Sequence, residues 1–281
     1  MATNHKLIIG DSTSMVEVPD KSVHLMVTSP PYFNAPFDYK GLFKTYGQYL
    51  ELLREVASEV YRVLQDGRVA VLNIDDMLVD GKKFPIVADA TRIFLGVGLR
   101  YRDRILWKKP DGYLRISRRS GVMLQHPYPM YFYPDNLLES IIIFQKGKFN
   151  YKSIPKENRE ASKINIKEFS DKKWYMTLWE MNNVMPGSPL AKDIAAFPEE
   201  LPYRAIKLFS YKGEIVLDPF AGSGTTMKVA RNLERNSIGI EINGSLVPII
   251  EEKLAFGRGQ RLLFSNTDDK FEVIRREKLK I

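Results

Sequence analysis

A chain of 281 residues, 44% hydrophobic and 27% charged, has a globular make-up and is long enough for one large domain with an insertion or two small ones. It has no cysteine, which excludes disulfides, thiolate nucleophiles and zinc–thiolate centres, and its histidines (His5, His24, His126) stand at no metal-ligand spacing. No apolar run approaches the roughly 18 residues that span a bilayer, and "MATNHKLIIGDS" lacks the order of a signal peptide, so a cytoplasmic protein without a structural metal is expected.

Residues 5–9 and 23–28 predict short strands, each closed by polar or proline punctuation. Residues 46–65 predict a helix: Tyr49, Leu52, Leu53, Val56, Val60, Val63 and Leu64 recur at three-to-four spacing, with Gly67 expected to close it. A buried strand at 68–74, a helix at 86–95 and strands at 101–107 and 139–147 follow. From Tyr101 to Gln125, seven Lys/Arg stand against two Asp. That run suits a solvated face and a surface tracking nucleic-acid phosphates about equally.

Residues 148–183 are polar and weakly periodic, which predicts a small inserted segment rather than sheet core; Trp174 and Trp179 are expected to pack it onto the body of the protein. Regular patterning resumes with a helix at 198–210, a strand at 213–220, a helix at 224–235, a strand at 237–242 and a helix at 246–256. The tail from Lys270 reads as a solvated amphipathic end. Strands alternating with helices predict an α/β fold with a doubly wound, mainly parallel sheet. The expected division is 1–147 and 184–281 as two halves of one domain, with 148–183 inserted.

Two constellations carry chemistry. In "EIVLDPFAGSGTT" (214–226) a glycine-rich turn joins a buried strand to a helix, and Gly222 and Gly224 allow a ligand close to the backbone. A P-loop needs lysine directly after the last glycine, and a dinucleotide fingerprint needs glycine at Met227; both are absent. Glu241, at the end of the next strand, is placed to accept both hydroxyls of a ribose. A nucleoside cofactor without a pyrophosphate fits this pattern; a tight turn with a surface glutamate is the plainer alternative. In "VTSPPYF" (27–33) two prolines stiffen the chain at the mouth of a strand, where a serine and a tyrosine are displayed.

"TSPPYF", "DPFAGSGTT" and "GIEI" together resemble the amino-methylating DNA methyltransferases that use S-adenosylmethionine, and the order is that of the circularly permuted beta class. The resemblance covers most of the chain outside 148–183 and implies a Rossmann-like fold, with 148–183 as an inserted target-recognition segment. It also implies that Asp11 of "IIGDS" lies beside the adenine ring, and that the helix entered through Phe197 helps hold the methionine moiety. The cofactor residues so implied are Asp11, Thr28, Phe197, Asp218, Pro219, Phe220, Gly222, Ser223, Gly224, Thr225 and Glu241. Asp218 is expected to order the glycine turn.

Ser29, Pro30, Pro31 and Tyr32 are the implied catalytic residues. An exocyclic amine is a poor nucleophile because its lone pair is delocalised into the ring. The Ser29 hydroxyl and Pro30 carbonyl are suitable acceptors to draw it toward tetrahedral geometry, and the prolines hold that carbonyl beforehand. Tyr32 can stack on a base taken out of the duplex. Ser29 and Tyr32 are thus expected to matter to chemistry and little to folding. No covalent intermediate is required, whereas methylation at cytosine C5 would need a cysteine. In the family a serine before Pro-Pro goes with cytosine N4 and Asp or Asn with adenine N6. Cytosine N4 in double-stranded DNA is therefore the expected substrate, with adenine N6, another macromolecule and an inactive DNA-binding homologue as alternatives. Lys108, Lys109, Arg115, Arg118 and Arg119 are the expected DNA contacts, and a cognate restriction endonuclease the expected functional partner.

Overall fold

The computed structural model describes residues 2–35, 41–110, 121–182, 197–256 and 268–276. The strands are β1 (Asn4–Ile9), β2 (Val23–Thr28), β3 (Leu64–Ile74), β4 (Met77–Val79), β5 (Lys82–Phe84), β6 (Arg100–Lys108), β7 (Leu138–Gln145), β8 (Leu178–Glu180), β9 (Ile215–Asp218), β10 (Asn236–Glu241) and β11 (Lys270–Arg275). The helices are α1 (Tyr46–Val63), α2 (Ile86–Gly96), α3 (Gly121–Gln125), α4 (Lys156–Ala161), α5 (Ile166–Asp171), α6 (Glu200–Phe209), α7 (Thr225–Asn232) and α8 (Val247–Lys253).

Nine strands form one sheet in the order β11-β1-β10-β9-β2-β3-β7-β6-β8, and β4 and β5 form a separate hairpin. From β11 to β3 every pairing is parallel; β7 runs antiparallel to both β3 and β6. Successive residues of a strand face opposite sides, so Met26 joins the core under α1 and α2 while Leu25 and Val27 join the one under α6 and α7. The sheet is doubly wound and mainly parallel, as the alternation of elements predicts.

The Thr45 side chain caps α1 by accepting from Gln48 N at 3.2 Å, and the helix buries Tyr49, Leu53, Val56, Ala57, Val60 and Val63. Three elements depart from expectation. Gly67 does not close the helix: β3 begins at Leu64, and Gly67 lies within it at φ +85°, where a Cβ would stand 2.7 Å from Phe149 Cα. The end of the 148–183 segment supplies sheet: β8 pairs in parallel with β6 at the edge. Its tryptophans are buried as expected, with the Arg204 guanidinium 4.9 Å from the Trp179 ring centroid and 5.8 Å from that of Trp174. The tail is likewise an edge strand, β11, in register with all six residues of β1. Its polar outer face hid the pattern; the backbone pairing that holds it leaves no mark in side-chain hydrophobicity.

Candidate active site

Because β1, β10, β9 and β2 are parallel, their carboxyl ends share one edge of the sheet, where open α/β sheets bind ligands. One cleft opens there. Gly10, Asp11 and Ser12 line it beyond β1, and Ser29 and Pro31 beyond β2. The turn beyond β9 adds Pro219, Phe220, Gly222, Ser223 and Thr225, the end of β10 adds Glu241, and Phe197 closes another side. Sequence elements some 200 residues apart therefore meet in a single wall.

The turn enters α7 through Gly222 at φ +52° and Gly224 at φ +78°, conformations that disfavour a side chain. Glu241 braces it from the next strand: one carboxylate oxygen accepts from Gly222 N at 2.9 Å, the other from Asn243 N at 2.8 Å. Burial pushes the Glu241 carboxyl up, and these N–H donors oppose the rise. Each oxygen keeps a lone pair for the hydroxyls of a sugar.

Thr28 and Asp218 do not line the cleft; they lie beneath it. Thr28 Oγ1 donates to Asp218 Oδ1 at 2.6 Å, and the same oxygen accepts from Phe220 N at 3.1 Å. Asp218 thus holds the start of the glycine-rich turn at Phe220 and fastens it to the strand end carrying Ser29. Burial pushes its carboxyl up to about 6. Gly224 also stands behind the wall, where a Cβ would meet Ile250 Cγ2 at 3.0 Å.

The serine–proline turn has a polar network behind it. Tyr32 Oη donates to Glu139 Oε2 at 2.9 Å, and Asn73 Nδ2 donates to the same oxygen at 2.7 Å. Asn73 Nδ2 also lies 3.4 Å from Ser29 Oγ and from Tyr32 Oη. Lys109 Nζ pairs with the other oxygen, Glu139 Oε1, at 2.6 Å. Burial, then the Glu139 charge, holds the Tyr32 phenol well above its usual range. Tyr32 also packs against the main hydrophobic core, so the expectation that it has little part in folding does not stand.

Asp75, hydrogen-bonded by Asn136, is pushed up to about 7, first by burial and then by Glu139. An unfolded aspartate ionises near 3.9. The folded chain therefore keeps a proton between about pH 4 and 7 that the unfolded chain has lost, and stability from this group falls as pH rises through that window. Asp75→Asn should raise the melting temperature at pH 8, by the equivalent of roughly 1–3 kcal/mol, with the gain shrinking toward pH 4. Thermal melts of both proteins across pH 4–8 measure it; an equal gain at every pH would show that the carboxyl does not titrate there.

A DNA methylase family model matches residues 23–252. The chain belongs to the DNA methylase family. This methylase is 37% identical to the type II methyltransferase M.MjaI of Methanocaldococcus jannaschii, over 90% of this chain and 92% of that protein. It is 29% identical to M.MthZI of Methanothermobacter thermautotrophicus, over 98% and 84%. Its fold matches a DNA modification methylase of Thermus thermophilus solved with S-adenosyl-L-methionine, at a TM-score of 0.73 and 28% identity over 96% of this chain and 99% of that one. The PvuII cytosine-N4-specific methyltransferase shares the fold at a TM-score of 0.66 and 18% identity, over 97% and 96%.

The methylase uses S-adenosylmethionine, and the cleft suits that group: a braced carboxylate for ribose hydroxyls at Glu241, hydroxyls at Ser223 and Thr225, and apolar walls at Phe197 and Phe220. No cluster of potential metal ligands occurs among the described residues, nor is any described helix long and apolar enough to cross a membrane. Of the expected DNA contacts, Lys109 is turned to Glu139, and Lys108 Nζ lies 3.4 Å from Glu180 Oε1. Arg115, Arg118 and Arg119 lie outside the described residues. Sequence reading missed Asn73, Glu139 and Lys253; the last donates to Ser223 Oγ at 2.6 Å and Thr225 Oγ1 at 2.8 Å. The only available signal was polarity inside or beside apolar runs, asparagine in "AVLNI" and glutamate in "ESIIIF".

Proposed function

We propose that this methylase transfers a methyl group to the exocyclic N4 amine of cytosine, at a short specific sequence in double-stranded DNA, with the target base turned out of the helix. The cofactor supplies an electrophilic sulfonium methyl; the chain positions the amine. The observation that carries the reading is Ser29 at the mouth of β2, with the Asn73 amide 3.4 Å from its oxygen. With Oγ accepting from that amide, the hydroxyl hydrogen is available to the ring nitrogen N3 of cytosine, while the Pro30 carbonyl accepts from N4. The prolines keep that carbonyl from reorganising during transfer, and the Tyr32 ring, fastened at its hydroxyl, offers the base a face. The departing proton passes to solvent, and no enzyme–base bond forms.

The choice of cytosine over adenine rests on the serine of the motif and on the family resemblance. The test is to incubate the protein with methyl-labelled S-adenosylmethionine and duplex DNA, digest to nucleosides and weigh the labelled one. N4-methylcytosine is expected; N6-methyladenine would replace the substrate and keep the enzyme. A restriction endonuclease reading the same sequence is the proposed functional partner, in keeping with the type II names of M.MjaI and M.MthZI.

We further propose that Arg115, Arg118 and Arg119 contact DNA phosphates. Their joint replacement by Gln should weaken cognate and unrelated duplexes alike. It should flatten log K against log salt by about 0.9 for each phosphate no longer neutralised. An unmoved slope would make the run a solvated face.

A further inference from the structure

We infer that Arg276, the residue after β11, is a positioning residue for the cofactor: it sets the loop that carries Asp11 into the cleft. The inference rests on the reading that adenine lies beside Asp11. The loop leaves β1 at Gly10, where Gly10 N donates to Glu241 O at 2.9 Å. It is tied down again at Met15, which is buried. There Glu59 of α1 accepts from Met15 N at 2.6 Å, and Arg62 Nη2 donates to Met15 O at 2.8 Å. Residues 11–14, which bring Asp11 and Ser12 to the cleft, lie between these two fixed points.

Arg276 reaches that stretch from the far end of the sequence. Its backbone N–H donates to Ile9 O at 3.1 Å, continuing the pairing of β11 with β1. Its guanidinium then bridges the loop. Nη1 donates to Asp11 O at 2.6 Å and Nη2 to Ser14 O at 2.6 Å. Nε and Nη2 also hold the two carboxylate oxygens of Glu17, at 2.8 and 2.6 Å. One planar group thus fixes both ends of the 11–14 span, and the bidentate pair with Glu17 fixes its plane. The side chain lies across Gly10, where a Cβ would stand 2.5 Å from Arg276 Cδ; the glycine of "IIGDS" admits it. Asp11 Oδ1 accepts from Thr13 N at 2.9 Å, which leaves Oδ2 to accept from an amine on a base in the cleft. Adenine carries such an amine and hypoxanthine does not. Holding the Asp11 backbone therefore holds the carboxylate that tells the two apart.

Calorimetry would compare S-adenosylhomocysteine with S-inosylhomocysteine, which differs only in carrying hypoxanthine. The unaltered protein should prefer the first. Arg276→Met should weaken the first on the order of tenfold and the second by less, so that the preference shrinks. Arg276→Lys keeps the charge without the fork; it should shrink the preference in part, and it serves if Arg276→Met does not fold. Val273→Ala thins the packing of β11 and leaves Arg276 in place, so it should lower the melting temperature and keep the preference. Equal weakening of both probes by the Arg276 variants, or none, would make Arg276 a fastener of the strand and overturn the inference. So would a preference lost as fully in Val273→Ala. If the unaltered protein binds both probes alike, the placement of adenine beside Asp11 fails and the inference with it; if it binds neither, the cofactor placement fails as well.

Discussion

Glu139→Leu is expected to slow single-turnover methyl transfer by on the order of a hundredfold while leaving S-adenosylmethionine affinity nearly unchanged. Glu139 fastens Tyr32 and Asn73 through one oxygen and Lys109 through the other, and it is no part of the cofactor cleft. Without it the Tyr32 ring and the amide beside Ser29 lose their common anchor, and displacement by about an ångström at a reacting centre is enough for that loss. The substitution also strands the Lys109 charge, so about 3–5 kcal/mol of stability should go with it. Glu139→Gln is the gentler companion, since its carbonyl can still accept from Tyr32. Tyr32→Phe removes the anchored hydroxyl and keeps the packed ring, unlike Tyr32→Ala, which would also cut into the core. Full transfer rates in folded Glu139→Leu and Tyr32→Phe proteins would remove the network from the mechanism.

Glu241→Ala should weaken S-adenosylmethionine by about 1.5–3 kcal/mol, roughly 10- to 150-fold, measured by calorimetry on folded protein. Two effects combine in that figure. The carboxylate is the acceptor proposed for the ribose hydroxyls, and it also holds the Gly222 and Asn243 N–H groups that shape the wall. Glu241→Gln keeps one of these acceptors and should fall between. Asp218→Ala should weaken the cofactor less directly, since Asp218 lies under the turn and is fastened to Thr28. Unchanged affinity in Glu241→Ala would sink the ribose assignment.

The central strands, the helices that pack on them and the two glycine- and proline-bearing turns were legible because local rules govern them. Apolar residues repeat at strand or helix spacing, and only certain residues fit the turns. The walls of the cleft followed from the fold, since parallel strands bring their carboxyl ends together. The support behind those walls was not legible. Glu139 lies 107 residues from Tyr32, and Lys253 lies 30 from Ser223; a contact between polar side chains leaves no periodicity in either segment. Lys109 shows the same limit from the other side. Its place in a basic run suggested a phosphate contact, whereas its neighbour in space is a buried carboxylate. The edge strands β8 and β11 escaped for a related reason, being short and only half-covered, so that their composition resembles that of a loop.

The position of β1 in the sheet bears on how the molecule assembles. Both of its neighbours, β10 and β11, come from beyond residue 235, although β1 itself starts at Asn4. A ribosome delivers this apolar strand well before either partner, and β2, the next strand in sequence, is held apart from it by β9 and β10. Strands β2, β3, β7, β6 and β8 can join beforehand and already carry Ser29, Asn73 and Glu139. During that interval β1 is an exposed pairing edge with Leu7 and Ile8 uncovered, open to mispairing with other chains. Closure across so long a sequence separation carries a loop-entropy cost that the pairing of β2, β3, β7 and β6 does not, and the methyl-donor half of the cleft depends on it.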